Sequence, residues 1–157
     1  MSVILKTQLV SKNPDATELI ATKLGARLCG GEVIELVSDL GGGKTTFVRG
    51  LARGMGSEDV VASPTFTISR QYKADNLTLY HFDFYRLNEA GVVADELAEL
   101  IGDPAVVVVI EWAEAVENIL PLGHLTVNFK LKTENSRQLV FTYAENLTYL
   151  MPMGPRV

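Results

Sequence analysis

The sequence has little of what a metal cluster, a membrane span or a stand-alone nucleic-acid binder requires. Of 157 residues only one, Cys29, is cysteine. No disulfide can form within the chain, and no cysteine metal cluster can be assembled. Cys29 follows a helical pattern and reads as a small core residue. No apolar run approaches the length of a membrane span. The opening MSVILKTQLV is too short and too polar for a signal peptide, so the cytoplasm is the expected compartment. Basic residues are outnumbered 14 to 19, giving a net charge of −5. Without a basic face or a Lys/Arg run, direct tRNA or other nucleic-acid binding is not expected. There is no N-K-x-D element of the kind that reads guanine. No repeat or linker divides the chain, and 47% apolar residues suffice for one core. A single domain spanning 1–157 is expected, with a loosely ordered tail from Glu145 to Val157.

What is present centres on Glu32 to Gly50. EVIELV is apolar and β-branched and reads as a buried strand. SDLGGGKTT follows, with Gly41, Gly42 and Gly43 leading into Lys44, Thr45 and Thr46. Phe47, Val48, Leu51 and Met55 then recur at helical spacing. Strand, glycine loop, Lys-Thr, helix is the P-loop order, and each part has a chemical reason. Glycines let backbone N–H groups close round phosphate oxygens. The helix N-terminus adds partial positive charge. Lys44 is placed for the β- and γ-phosphates, its ammonium solvated until they arrive, and the Thr45 hydroxyl for Mg²⁺. Ser38 stands where the pattern has glycine, which serine tolerates if its φ stays negative.

Val3 to Val10 reads as a first strand. Asn13-Pro14 starts a helix whose stripe is Leu19, Ile20, Leu24 and Leu28, ended by Gly30 and Gly31. Gly54, Gly56 and Ser57 close the P-loop helix. Phe66–Tyr72 and Leu77–Tyr85 alternate across Ala74-Asp75-Asn76 and read as a hairpin. Tyr80, Phe82 and Phe84 share one face of it; Leu79, His81, Asp83 and Tyr85 share the other. Asp83 is thus either a ligand for metal or water, or an exposed edge carboxylate. Helix-like sequence runs from Asn88 to Ile101. Val106 to Ile110 is a strand buried on both faces, closing in Glu111-Trp112. An acid there is either a Walker B carboxylate at a parallel strand's end or a surface residue capping the strand. Glu114 to Leu120 reads as a short helix. Leu125–Lys132 and Arg137–Tyr143 form a second hairpin. The class expected is α/β: a three-layer, P-loop NTPase-like fold, its central sheet mixed but mostly parallel, with added antiparallel hairpins.

Four separated motifs resemble one family. SDLGGGKTTFVRGL, SPTFTI, YHFDFYRL and EWAE…ILP are similar, in order and spacing, to elements of the TsaE (YjeE) ATPases. The likeness spans about Ser11 to Pro121. That family serves the bacterial tRNA modification N6-threonylcarbamoyladenosine. The resemblance implies an ATP-binding, weakly hydrolysing, Mg²⁺-dependent protein that partners the TsaD–TsaB pair, meeting tRNA only through that complex. It implies that Leu40 to Thr46 bind nucleotide, and that Lys44 and Thr45 are the phosphate and Mg²⁺ residues. It implies that Thr65 is a switch-like threonine near the γ-phosphate. Asp83 and Glu111 match the two acids of the metal and water shell, and Trp112 a tryptophan beside the nucleotide. Thr17 and Arg137 match more distant parts of the nucleotide pocket. Two positions depart from the family: Ser38 for the usual glycine and Gly42 for the usual alanine. A small-molecule kinase, or a nucleotide-gated binding module without turnover, is the alternative function on the same loop.

Overall fold

The computed structural model describes residues 3–39, 41–64, 69–85 and 91–151. The sequence readings at Leu40, at Thr65 and beyond Met151 lie outside these residues. The alternating and β-branched segments become β1 (Ile4–Ser11), β2 (Val33–Val37), β3 (Ser69–Lys73), β4 (Thr78–Asp83), β5 (Val106–Glu111), β6 (Leu125–Leu131) and β7 (Arg137–Ala144). They form one sheet of seven strands in the order β1-β7-β6-β2-β5-β4-β3. The central pairs β4·β5, β5·β2 and β2·β6 are parallel. β3 joins one side antiparallel, β7 and β1 the other. This is the expected α/β architecture.

The helices are α1 (Pro14–Gly25), α2 (Lys44–Met55) and α3 (Gly91–Leu100). α1 and α2 cover one face of the sheet, sealing Ile34, Leu36, Val107, Val109 and Phe141 beneath Leu24, Phe47 and Leu51. α3 and a 3₁₀-helix at Ala113–Ile119 cover the other, over Val33, Phe82, Val108 and Ile110. Every residue of β5 is buried. Burying each of its aliphatic side chains is worth roughly 2 kcal/mol, which suits a strand flanked by β2 and β4. No helix among the described residues is long and apolar enough to cross a membrane.

Five local readings are corrected. Leu19 is exposed, and the inner face of α1 is Thr17, Ala21, Leu24 and Gly25. α1 lies so close to α2 that small residues form the contact. A Cβ on Gly50 would lie 2.4 Å from the Glu18 carbonyl oxygen, and one on Gly54 would lie 2.1 Å from that of Thr22. Gly54 is therefore a packing residue inside α2, which ends at left-handed Gly56. α1 itself ends at Gly25, and Gly30 and Gly31 turn the chain into β2 instead. Cys29 is exposed rather than core. The segment from Glu145 is not loose where described: Glu145–Leu150 is a 3₁₀-helix, and Leu150 and Met151 reach the core.

Glu32 explains how that last segment is held. It is 4% exposed and accepts hydrogen bonds from Cys29 N (2.9 Å), Gly30 N (2.7 Å), the Tyr149 hydroxyl (2.7 Å) and the Cys29 thiol (3.2 Å). Burial pushes its carboxyl pKa up, but these donors outweigh burial and hold it below the usual value. Burial and the Glu32 carboxylate together push the Tyr149 hydroxyl pKa up.

Candidate functional site

β2 delivers the chain to the carboxyl edge of the parallel strands, where open α/β sheets place their ligands. There the backbone turns through Gly41 (φ 78°) and Gly43 (φ 101°) into α2. Only glycine adopts such angles without a Cβ clash. α2 opens with no side-chain cap, and Lys44 and Thr45 are its first residues. Its first N–H groups remain available to an anion.

Ser38 takes no positive φ; among the described residues only Trp112 does so without being glycine. The Ser38 hydroxyl donates to the Asp39 carbonyl at 2.7 Å, and that carbonyl also accepts Gly42 N at 3.2 Å. A Cβ on Gly42 would fall 2.2 Å from Ser38 Oγ and 2.7 Å from Ser38 Cβ. The two positions that the resemblance marks as departures thus compete for one space. The serine fills the space that an alanine at position 42 would need, and glycine at 42 makes room for it.

Parallel register sets Asp83 beside Glu111 at the ends of β4 and β5. Both are buried, at 8% and 4% exposure, so neither is the edge or surface carboxylate of the alternative readings. Asp83 lies on the sheet face opposite Phe82 and Phe84, as the alternation predicts. Its Oδ1 accepts Tyr85 N at 2.9 Å. Glu111 Oε2 lies 2.5 Å from His81 Nε2, and Glu111 Oε1 lies 3.7 Å from Lys44 Nζ.

Lys44 is not solvated. It is 7% exposed, its ammonium donates to the Ser38 carbonyl at 3.2 Å, and it sits 4.6 Å from the Trp112 ring centroid. A buried ammonium has to be paired, and the loop, the acid and the indole supply the partners. Trp112 reaches it from a left-handed backbone (φ 57°, ψ 57°). A bulky residue held there marks local strain, which is concentrated at functional sites. Tyr85 packs against the same indole, with ring centroids 5.0 Å apart.

These groups line a cavity of about 530 Å³, Gly41 to Thr46 together with Asp83, Tyr85, Glu111 and Trp112. Ser63, from the loop after α2, also lines it. A smaller cavity of about 170 Å³ adjoins the same loop. It brings Thr17 and Arg137 together with Gly41, Gly43 and Thr46. The Thr17 hydroxyl is 2.6 Å from Ser11 Oγ, and Arg137 Nη1 donates to the carbonyls of Thr133, Glu134 and Ser136 at 3.1 to 3.3 Å. Every predicted site residue that is described lies at one of these two cavities. His81 and Ser38 were missed as contributors, although two-residue alternation already put His81 on the Asp83 face.

No group of three His, Cys, Asp or Glu suited to a metal occurs among the described residues. Thr45, Asp83 and Glu111 instead offer one hydroxyl and two carboxylates. That set suits Mg²⁺, which keeps several waters and takes further oxygens from a nucleotide.

The family model described as "Threonylcarbamoyl adenosine biosynthesis protein TsaE" matches residues 11–139. The chain is 38% identical over 136 residues to the tRNA threonylcarbamoyladenosine biosynthesis protein TsaE of Bacillus subtilis (strain 168), covering 85% of this chain and 84% of that one. It is 37% identical over 130 residues to the Treponema pallidum (strain Nichols) protein of the same name, covering 83% and 96%. A crystal structure of Bacillus subtilis YdiB superposes with a TM-score of 0.76 at 33% identity, covering 98% of this chain and 95% of that chain. With the loop, the two acids and the tryptophan on the same fold, the chain belongs to the TsaE family of threonylcarbamoyl adenosine biosynthesis proteins.

Proposed function

We propose that this protein binds ATP with Mg²⁺, hydrolyses it slowly, and serves tRNA N6-threonylcarbamoyladenosine formation with TsaD and TsaB partners. The observation that carries the reading is the convergence of Lys44, Thr45, Asp83 and Glu111 on one cavity beside the glycine loop.

The glycine loop and the first turn of α2 supply N–H donors for phosphate oxygens. Lys44 already stands at the cavity wall, and it exchanges Glu111 and the Ser38 carbonyl for phosphate. Thr45 and Asp83 would hold the metal, which would supply positive charge against the phosphates. Glu111, relieved of Lys44, orients the attacking water and takes up its proton at Oε1. Thr17 and Arg137 enclose the nucleotide from the smaller cavity. The acidic balance leaves tRNA to the partners.

Calorimetry with ATP and GTP tests the binding half. ATP heat that vanishes in Lys44→Ala supports the reading; equal affinity in the variant contradicts it. Capture of TsaD and TsaB by the full chain, with and without ATP, tests the partnership. Nucleotide-independent absence of capture contradicts that half alone.

A further inference from the structure

The HFD segment carries a histidine for which hydrolysis has no direct use. His81 is 0% exposed, in the middle of β4 and out of reach of solvent. Its neighbours on that sheet face are Leu79 and, one alternation on, Asp83. Packing alone does not account for an imidazole here, because its Nδ1 is buried with no hydrogen-bond partner among the described residues. A leucine would fill such a space without stranding a polar atom.

What the ring gains is Glu111. Its Nε2 lies 2.5 Å from Glu111 Oε2. The partnerless Nδ1 favours the Nε2–H tautomer over the Nδ1–H one. A proton there would leave a buried donor unmet and put a bare Nε2 against a carboxylate. A proton on Nε2 leaves only a lone pair unmet and makes the contact a donated hydrogen bond.

We propose that His81 is a positioning residue for Glu111. Its Nε2–H holds Oε2 and stops the carboxylate turning about its last torsion. Oε1 is then the oxygen that faces Lys44, 3.7 Å away on the cavity wall. An acid that orients water has to present one oxygen in a fixed direction, and a buried donor on the other oxygen supplies that. The inference rests on the ATP-hydrolysing reading of Glu111.

Three variants of the full chain separate this role from packing. His81→Gln carries an amide that reaches about as far as Nε2. His81→Asn carries the same amide one bond shorter, and His81→Leu carries none. ATP affinity by calorimetry is expected to stay within about threefold of wild type in all three, because the ring touches no phosphate residue except through Glu111. Turnover is expected to fall by roughly tenfold or more in the Asn and Leu variants and to recover largely in Gln. If the Leu variant fails to fold, the Asn and Gln pair still carries the comparison. Nitrogen-15 spectra of the wild-type ring give a readout independent of turnover: a proton on Nε2 and none on Nδ1, a pattern lost in Glu111→Ala. Wild-type turnover in Asn, equal loss in Gln and Asn, or a proton found on Nδ1 would each overturn the inference. Wild-type protein that neither binds nor hydrolyses ATP would overturn the reading beneath it, and that shows in the first arm before any variant is compared.

Discussion

Two buried glutamates stand at opposite ends of neighbouring parallel strands, and they are built for different work. Glu32, just before β2, is enclosed by four donors, two of them backbone N–H groups. Nothing about it is left to exchange. Glu111, at the end of β5, is fixed on one oxygen by His81 and meets Lys44 with the other, at ion-pair rather than hydrogen-bond distance. Glu111 lines the cavity, and its second oxygen keeps that longer contact. Burial alone therefore does not separate a structural acid from a chemical one. The number and kind of its donors does.

The largest effect that sharpens this contrast falls on stability. Glu32→Ala strands several buried donors and unties the 3₁₀-helix at Glu145–Leu150, so a loss of about 3 kcal/mol is expected by denaturant titration. ATP affinity of the folded variant should match wild type. The pH dependence has a definite sign. Because the Glu32 pKa is depressed in the fold, its stabilisation is present above the unfolded-state value near 4.5 and is lost as pH falls through the lower folded value. Glu32→Gln should flatten that acid limb. Equal acid sensitivity in the two proteins would deny Glu32 the structural role.

A smaller effect belongs to the glycine loop. Gly42→Ala forces its Cβ onto Ser38 and should weaken ATP binding by roughly tenfold, since overpacking of this kind costs about 1–3 kcal/mol. Adding Ser38→Gly should restore affinity, because the space is then free. Two losses that simply add would show that the positions are independent.

The smallest expected effect lies at His124, just before β6. Its Nε2 is 2.8 Å from Glu35 Oε1 and its Nδ1 is 2.8 Å from the Pro121 carbonyl. The bond to Glu35 raises its pKa, burial lowers it, and the Pro121 bond adds to the net rise. Its contribution is therefore fully present below the ordinary value near 6.5 and fades as pH climbs through the raised one. Wild type and His124→Gln should differ by under about 1 kcal/mol at pH 6 and converge in mild alkali. A gap that widens with pH would contradict the pairing.

The fold was legible where burial left a local mark. The β-branched run of β5 and the strand–glycine–helix passage around Lys44 each announce their place within a few residues. The face of α1 was not, because its choice of Ala21 over Leu19 depends on Gly50 and Gly54 of another helix. The Glu32 knot was not, because Tyr149 lies 117 positions away. In the site, residue types and spacing gave Lys44 and Thr45, while Asp83 and Glu111 stayed open on those grounds and were picked out by the family resemblance. The ion pair between Lys44 and Glu111 did not follow from spacing. It exists because β2 and β5 are adjacent and in register, with Leu36 opposite Glu111.

The central claim, that Glu111 is the chemical acid of the pair, is tested most directly by Glu111→Gln. This change keeps the shape and an acceptor for His81 while removing the charge. Turnover of ATP by the full chain should fall by roughly tenfold to a thousandfold. ATP affinity measured on the same preparation should hold or tighten, because Lys44 is released from its partner. Wild-type turnover in the variant, or an affinity loss as large as the turnover loss, would contradict the account.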